Sequence, residues 1–306
     1  MIVRGRELLI ATVLSVSALV WAFWSTFADM QERWSSDPQY SHCYLVPLFS
    51  LWYLWSRREQ MPRDNAWPHW GGLGIMLLGM VVRLGGSYLF QQTLEGVGFI
   101  ICMLGLAWFL LGRSGAKWAL PAIIFLVFLI PLPYRLQVMM GSPLQRIATV
   151  SSTYLLQTFG IPAVAEGNVI LLENSHIGIV EACNGLGMLM TFFAVTTAVA
   201  LLIRRPLVDR VIVVLSAVPI AIAVNILRIT ATGVLSVLTS PELARRVYHD
   251  LAGWFMMPIA LLMVFGVIAF LNRFLQAHEG QEHDAPIPAG MLSGNAPMMG
   301  VPGQFP

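Results

Sequence analysis

Residues 208–237 read VDRVIVVLSAVPIAIAVNILRITATGVLSV, an apolar run that begins beside three arginines, Arg204, Arg205 and Arg210, and carries Asn225 and Arg228 in its second half. A helix rises about 1.5 Å per residue and the hydrocarbon core of a bilayer is about 30 Å thick. As a helix this stretch crosses that core and protrudes beyond it. Arg228 stands twenty residues past Val208, or ~30 Å along the helix, at the boundary opposite the basic start. An arginine at such a depth is costly and marks a functional group or a specific ion pair, unless it snorkels to the interface.

The rest of the chain repeats this character. Of 306 residues, 57% are hydrophobic and 11% charged, against about 25% charged in a soluble domain. Apolar runs separated by polar breaks predict eight spans, at about 8–27, 42–56, 71–90, 94–112, 117–132, 184–203, 208–237 and 251–275. The expected fold is an all-α, polytopic transmembrane bundle over residues 1–275. The N-terminal charges followed by a long apolar stretch have the outline of a signal peptide. No A-x-A site follows, so this stretch reads as a retained first span.

With the N-terminus in the cytoplasm, Arg4, Arg6, Arg57, Arg58, Arg63, Arg113, Lys117, Arg204, Arg205, Arg210 and Arg273 fall on the inner side. Only Arg33, Arg135, Arg146, Arg245 and Arg246 fall outside. The bias predicts both termini inside. Trp52, Trp55, Trp67, Trp70 and Trp118 near span ends fit interfacial anchoring. Between about 131 and 182 lies the longest outer connection, expected as a small extracytoplasmic cap. Its first part has apolar residues at helical spacing, predicting amphipathic helices, and its second, IPAVAEGNVILLENSHIGIVEAC, fits a small hairpin. Residues 276–306, rich in Gly, Pro and Met, predict a disordered cytoplasmic tail.

Three reactive side chains fall at one depth. Cys183 stands where the cap enters the sixth span, Arg228 near the outer end of the seventh, and His249 just before the eighth. A thiol needs its thiolate to attack a carbonyl, and a helix N-terminus or a nearby cation lowers its pKa. An imidazole can take the thiol proton and return it to a leaving amine, and a guanidinium can hold an oxyanion. Each also has a plain structural reading, as a buried small hydrophobe, a snorkelling cation and a helix cap. Glu181 and Asn184 flank the cysteine. Asn225 lies one turn from Arg228 and can orient it. Tyr40, Ser41 and His42, at the outer start of the second span, can line a substrate entrance, with His42 a rival base and His176 a poorer one. Arg83 has no assigned partner. The cysteines show no metal-ligand spacing, and no metal, nucleotide, redox-cofactor or nucleic-acid motif is visible.

VEACNGLGMLMTFF around Cys183, AVNILRITATGVL around Arg228 and VYHDLAGWFMMP around His249 resemble, in order and spacing, the signature segments of the exosortase/archaeosortase family. PQYSHCYLVPLFSLWYLWSRR, FLIPLPYRL and EGNVILL resemble further family segments, and the likeness covers roughly residues 30–270. Asn184 departs from the family's usual serine, and Cys43 from its usual glycine. The resemblance implies a membrane-embedded cysteine transpeptidase with Cys183 as nucleophile and Arg228 and His249 in its site. Its substrates would be exported proteins ending in a short motif such as Pro-Glu-Pro, a transmembrane helix and a basic cluster. The acyl group would pass to a cell-surface acceptor. Two other readings stay open: a transporter or channel with an anion-binding arginine, and an intramembrane protease that hydrolyses without transfer.

Overall fold

The computed structural model describes residues 2–62, 69–172, 175–178, 185–239, 258–259, 261–270 and 272–273. Residues 1–265 form one compact unit and 266–306 a second; in the second, the described residues are helical.

The first unit is built on helices. Helix α1 (Ile2–Ala22) bends by 70° at Phe23 into α2 (Trp24–Ser36). A 3-10 helix, Pro38–Tyr44, then leads into α3 (Leu45–Ser56). The helix in the second expected span therefore starts at Leu45, and His42 lies in the turn before it. Helices α4 (Gly71–Tyr88) and α5 (Gln92–Phe125) form a hairpin. Sequence spacing explains how closely they pack. Gly72, Gly79 and Gly86 recur every seven residues on α4, as do Gly98 and Gly105 on α5. A Cβ on Gly79 would fall 2.5 Å from Cys102 Sγ and 2.8 Å from the Gly98 carbonyl; one on Gly105 would fall 2.6 Å from the Met76 amide. Such small residues let backbones meet where side chains would hold them apart, the usual device for helix association in lipid. Cys102 is a packing residue here, fully buried with its thiol on the Met76 carbonyl.

The spans expected at about 94–112 and 117–132 are joined without a loop. Gly112, at φ +71° and ψ −178°, breaks the helix in place and re-aims it, a conformation open to glycine because it lacks Cβ. The stretch expected at 208–237 is divided as well, into α8 (Leu207–Leu215) and α9 (Ala217–Leu238). Helix α7 (Leu186–Leu202) precedes them. By length and apolarity, three described segments can cross a membrane, Gly71–Tyr88, Gln92–Leu129 and Leu207–Leu238; the bent pair α1–α2 makes up to four.

Contacts between helix ends give the bundle two distinct ends. Helices α3 and α7 both run away from the 3-10 helix, since His42 there meets Thr191 on α7. In the second half of α5, Trp118 donates to the Arg57 carbonyl, while Phe128 just beyond accepts from Cys43. Arg57, Arg58, Lys117, Arg204 and Arg205 thus collect at one end. Tyr40, His42, Phe128 and the start of α7 collect at the other.

Beyond that second end α9 continues, sheathed by α6 (Tyr134–Thr158). Ser152 donates to the Ile226 carbonyl, and a Cβ on Gly233 would meet Leu156, so the two helices run in the same direction. Instead of several amphipathic helices, residues 134–158 form one, because Pro143 is accommodated without a break. The expected hairpin is a three-stranded antiparallel meander: β1 (Ala163–Glu166), β2 (Val169–Leu172) and β3 (Ser175–Gly178), with Ala165 opposite Ile170 and Ile170 opposite Ile177. Ala163, Ile170 and Leu172 join Ala148, Leu156 and Ile229 in a small core of its own.

Candidate functional site

The site is best built from the first turn of α7, which follows Cys183 by two residues. Gly185 caps that turn in the left-handed region, φ +79°, and its carbonyl accepts from Leu189 N at 2.9 Å. A Cβ at Gly185 would lie 2.9 Å from Asn225 Nδ2 on α9, and one at Gly187 would run into the Gln39 side chain and come within 2.9 Å of its Cα. Two glycines therefore let α9 and the 3-10 helix close on opposite flanks of the same turn.

On the α9 flank Asn225 is buried. Its Oδ1 accepts from Arg228 Nη2 at 2.9 Å, the i,i+3 pairing that the sequence spacing suggests. Arg228 as a whole is half-buried, and its guanidinium is held by that bond at the end of the bundle where α7 begins. A helix N-terminus carries partial positive charge from its unpaired amides. A cation and a helix N-terminus thus share one neighbourhood, an arrangement that favours an anion, whether thiolate or oxyanion. Leu144, Ala148, Ala221 and Ile222 close a small recess beside Gly185 and Asn225.

On the other flank, Asp37 opens the 3-10 helix by accepting from Gln39 N, with Pro38 at its first position. His42 Nδ1 lies 3.2 Å from the Gln39 carbonyl and 3.2 Å from Thr191 Oγ1. The Thr191 hydroxyl spends its proton on the Gly187 carbonyl at 2.9 Å, so both neighbours of Nδ1 are acceptors. The proton of the neutral ring therefore sits on Nδ1, and Nε2 keeps its lone pair. Nε2 lies 3.9 Å from Cys43 Sγ. Burial lowers the His42 pKa to about 4, against a smaller opposing effect of the Gln39 carbonyl. Its neighbour Cys43 donates to the Phe128 carbonyl, and burial pushes its thiol up to about 12; such a thiol is inert as a nucleophile.

Tyr40 is buried too; its hydroxyl accepts from Gln137 Nε2 at 2.9 Å, and desolvation, then the Asp37 charge, raises its pKa. Tyr40 and His42 thus pack the 3-10 helix onto the bundle and offer little surface to a substrate. Ser41 lies between them on the same turn. Arg83, partnerless in the sequence reading, holds its guanidinium 4.7 Å over the Phe23 ring, a cation–π contact. His176 is on β3. Cys183, Glu181, Asn184 and His249 lie outside the described residues, as does the tail beyond 273.

Gln39, Gln137 and Thr191 are absent from the residues singled out in the sequence. Thr191 carried the one usable signal: it stands one turn after Gly187 in an apolar helix, where a hydroxyl needs a reason.

A family model described as transmembrane exosortase matches residues 34–266. No match is found among curated proteins or among solved structures. The matched region runs from the end of α2 through the 3-10 helix, the clamped turn of α7 and Arg228, and covers most of the chain; the protein belongs to the transmembrane exosortase family.

Proposed function

We propose that this membrane protein is a cysteine transpeptidase acting on C-terminal sorting signals of exported proteins, with Cys183 as nucleophile, His249 as proton carrier and Arg228 as oxyanion holder. The observation that carries the reading is the clamp on α7. Gly185, two residues from Cys183, is packed on Asn225, which in turn holds Arg228. Two peptide units span at most about 7.6 Å of chain, which supports a thiol within reach of the guanidinium's surroundings.

In this reading the Cys183 thiolate attacks the carbonyl of the scissile peptide, and the C–N bond breaks as His249 returns a proton to the departing amine. A thioester remains on the sulfur. An acceptor nucleophile then attacks the thioester and restores the thiol; water in its place gives hydrolysis. Glu181 and Asn184 flank the nucleophile in the chain, and the 3-10 helix that carries Tyr40, Ser41 and His42 packs on α7 from the far side through His42 and Gln39.

Eight spans, a cap over residues 131–182 and an extracytoplasmic site belong to the same proposal. Support comes from the charge asymmetry: Arg57, Arg58, Lys117, Arg204 and Arg205 lie at the end opposite Asn225 and Arg228, and cationic ends stay in the cytoplasm. Cells making the Cys183→Ala variant are expected to accumulate the uncleaved precursor of a reporter with a Pro-Glu-Pro motif, an apolar helix and a basic end. Normal cleavage by that variant would overturn the nucleophile assignment. The mass of the new C-terminus separates transfer, which adds the acceptor, from hydrolysis.

A further inference from the structure

The end of the bundle remote from α7's first turn carries a concentration of cations that the chemistry above does not use. Arg57 and Arg58 end α3, and Arg113 and Lys117, four apart on one face of α5, follow the Gly112 break. The Trp118 indole bound to the Arg57 carbonyl fastens these two helix ends together. Arg58, Arg113 and Lys117 are exposed. Among the described residues the one ion pair is Arg205 with Asp209, and it involves none of Arg57, Arg58, Arg113 and Lys117.

Their aromatic setting is specific. The Arg58 guanidinium lies 4.7 Å over the Trp55 ring and donates to the Trp55 carbonyl, while Arg57 lies over Tyr53 and donates to its hydroxyl at 2.7 Å. Trp52, Trp55 and Trp70 are all more than half exposed. Tryptophan at this level sits among lipid headgroups and marks the depth of the interface. Cations at that depth, in no ion pair among the described residues and, at Arg57 and Arg58, pre-oriented on aromatic faces, match the phosphate of an anionic lipid.

We propose that Arg58, Arg113 and Lys117, beside Trp55, form a binding surface for the headgroup of an anionic phospholipid. The lipid phosphate supplies the counter-charge, and its acyl chains run along the apolar faces of α3 and α5. A basic peptide segment is repelled from the same surface unless such lipids intervene.

The test uses the full chain in nanodiscs of mixed phosphatidylcholine and phosphatidylglycerol, with bound lipids identified by native mass spectrometry. Phosphatidylglycerol is expected to be retained in preference to phosphatidylcholine. The Arg58→Gln/Arg113→Gln/Lys117→Gln variant is expected to lose affinity by about fivefold per charge removed, roughly a hundredfold in all. The charge-conserving Arg58→Lys/Arg113→Lys/Lys117→Arg variant, which guards against a folding artefact, is expected to retain it. Equal retention of the two lipids by the unaltered chain overturns the proposal. So does undiminished binding by the glutamine variant, or displacement of the lipid by inorganic phosphate alone.

Discussion

Replacing Asn225 with alanine removes the acceptor that holds Arg228 and empties the space against Gly185. The lost bond, 2.9 Å from a guanidinium nitrogen, is of the charged class, worth about 1.5–3 kcal/mol. Arg228 is half-buried, so water softens the loss, and the lower part of that range applies. If the bond serves to aim Arg228 at an oxyanion, 1.5–2.5 kcal/mol taken from transition-state stabilisation slows turnover by roughly ten- to seventyfold. The assay is the rate of precursor cleavage for a tripartite-signal reporter in membranes, normalised to folded enzyme by size-exclusion chromatography and thermal unfolding. Asn225→Asp keeps an acceptor but adds a negative charge against the guanidinium, and is expected to be impaired as well. A folded Asn225→Ala enzyme that cleaves at the unaltered rate would refute the role assigned to this pair.

Three further changes probe the clamp and the bundle. Gly185→Ala forces an L-residue into the left-handed region, costing roughly 1–2 kcal/mol, and drives its methyl toward Asn225 Nδ2; reporter cleavage should fall at least as far as in Asn225→Ala. Gly79→Leu places a side chain where Cys102 and the Gly98 carbonyl leave no room, so the α4–α5 hairpin should open by well over the 1–3 kcal/mol typical of overpacking, seen as lost folded yield. His42 is buried and neutral with its pKa lowered to about 4, against about 6.5 in the unfolded chain. The stability it contributes is therefore complete above about pH 6.5 and is lost as pH falls toward 4, by up to about 3 kcal/mol. Thermal unfolding in detergent between pH 7 and pH 4 should show this decline, and His42→Gln should flatten it.

Much of this architecture is legible in the residues. Hydropathy and arginine placement mark the membrane class and the two ends of the bundle, because lipid leaves helices little freedom to hide charge. The length of the Leu207–Leu238 segment is visible in the 208–237 run, and the Asn225–Arg228 pair follows from an i,i+3 spacing. What escaped is tertiary. Nothing local distinguishes the glycines at 185 and 187, which admit neighbours, from Gly74, which faces open space. The heptad of glycines on α4 acquires meaning only when its partner on α5 is known. The direct join between the two halves of α5 was hidden because Gly112 looks like a loop residue although it turns the chain without a loop. Polar groups at a span end usually meet water, whereas Gln137 and Thr191 meet Tyr40 and His42 inside.

The central claim, that the sulfur two residues before Gly185 attacks the substrate, is tested most directly by mapping the acyl-enzyme. Purified protein incubated with the reporter and no acceptor, then acid-quenched and digested, is expected to carry the cleaved fragment as a hydroxylamine-labile thioester on the peptide containing Cys183. Cleavage of the reporter with that peptide unmodified throughout, or with the adduct on another residue, would contradict it.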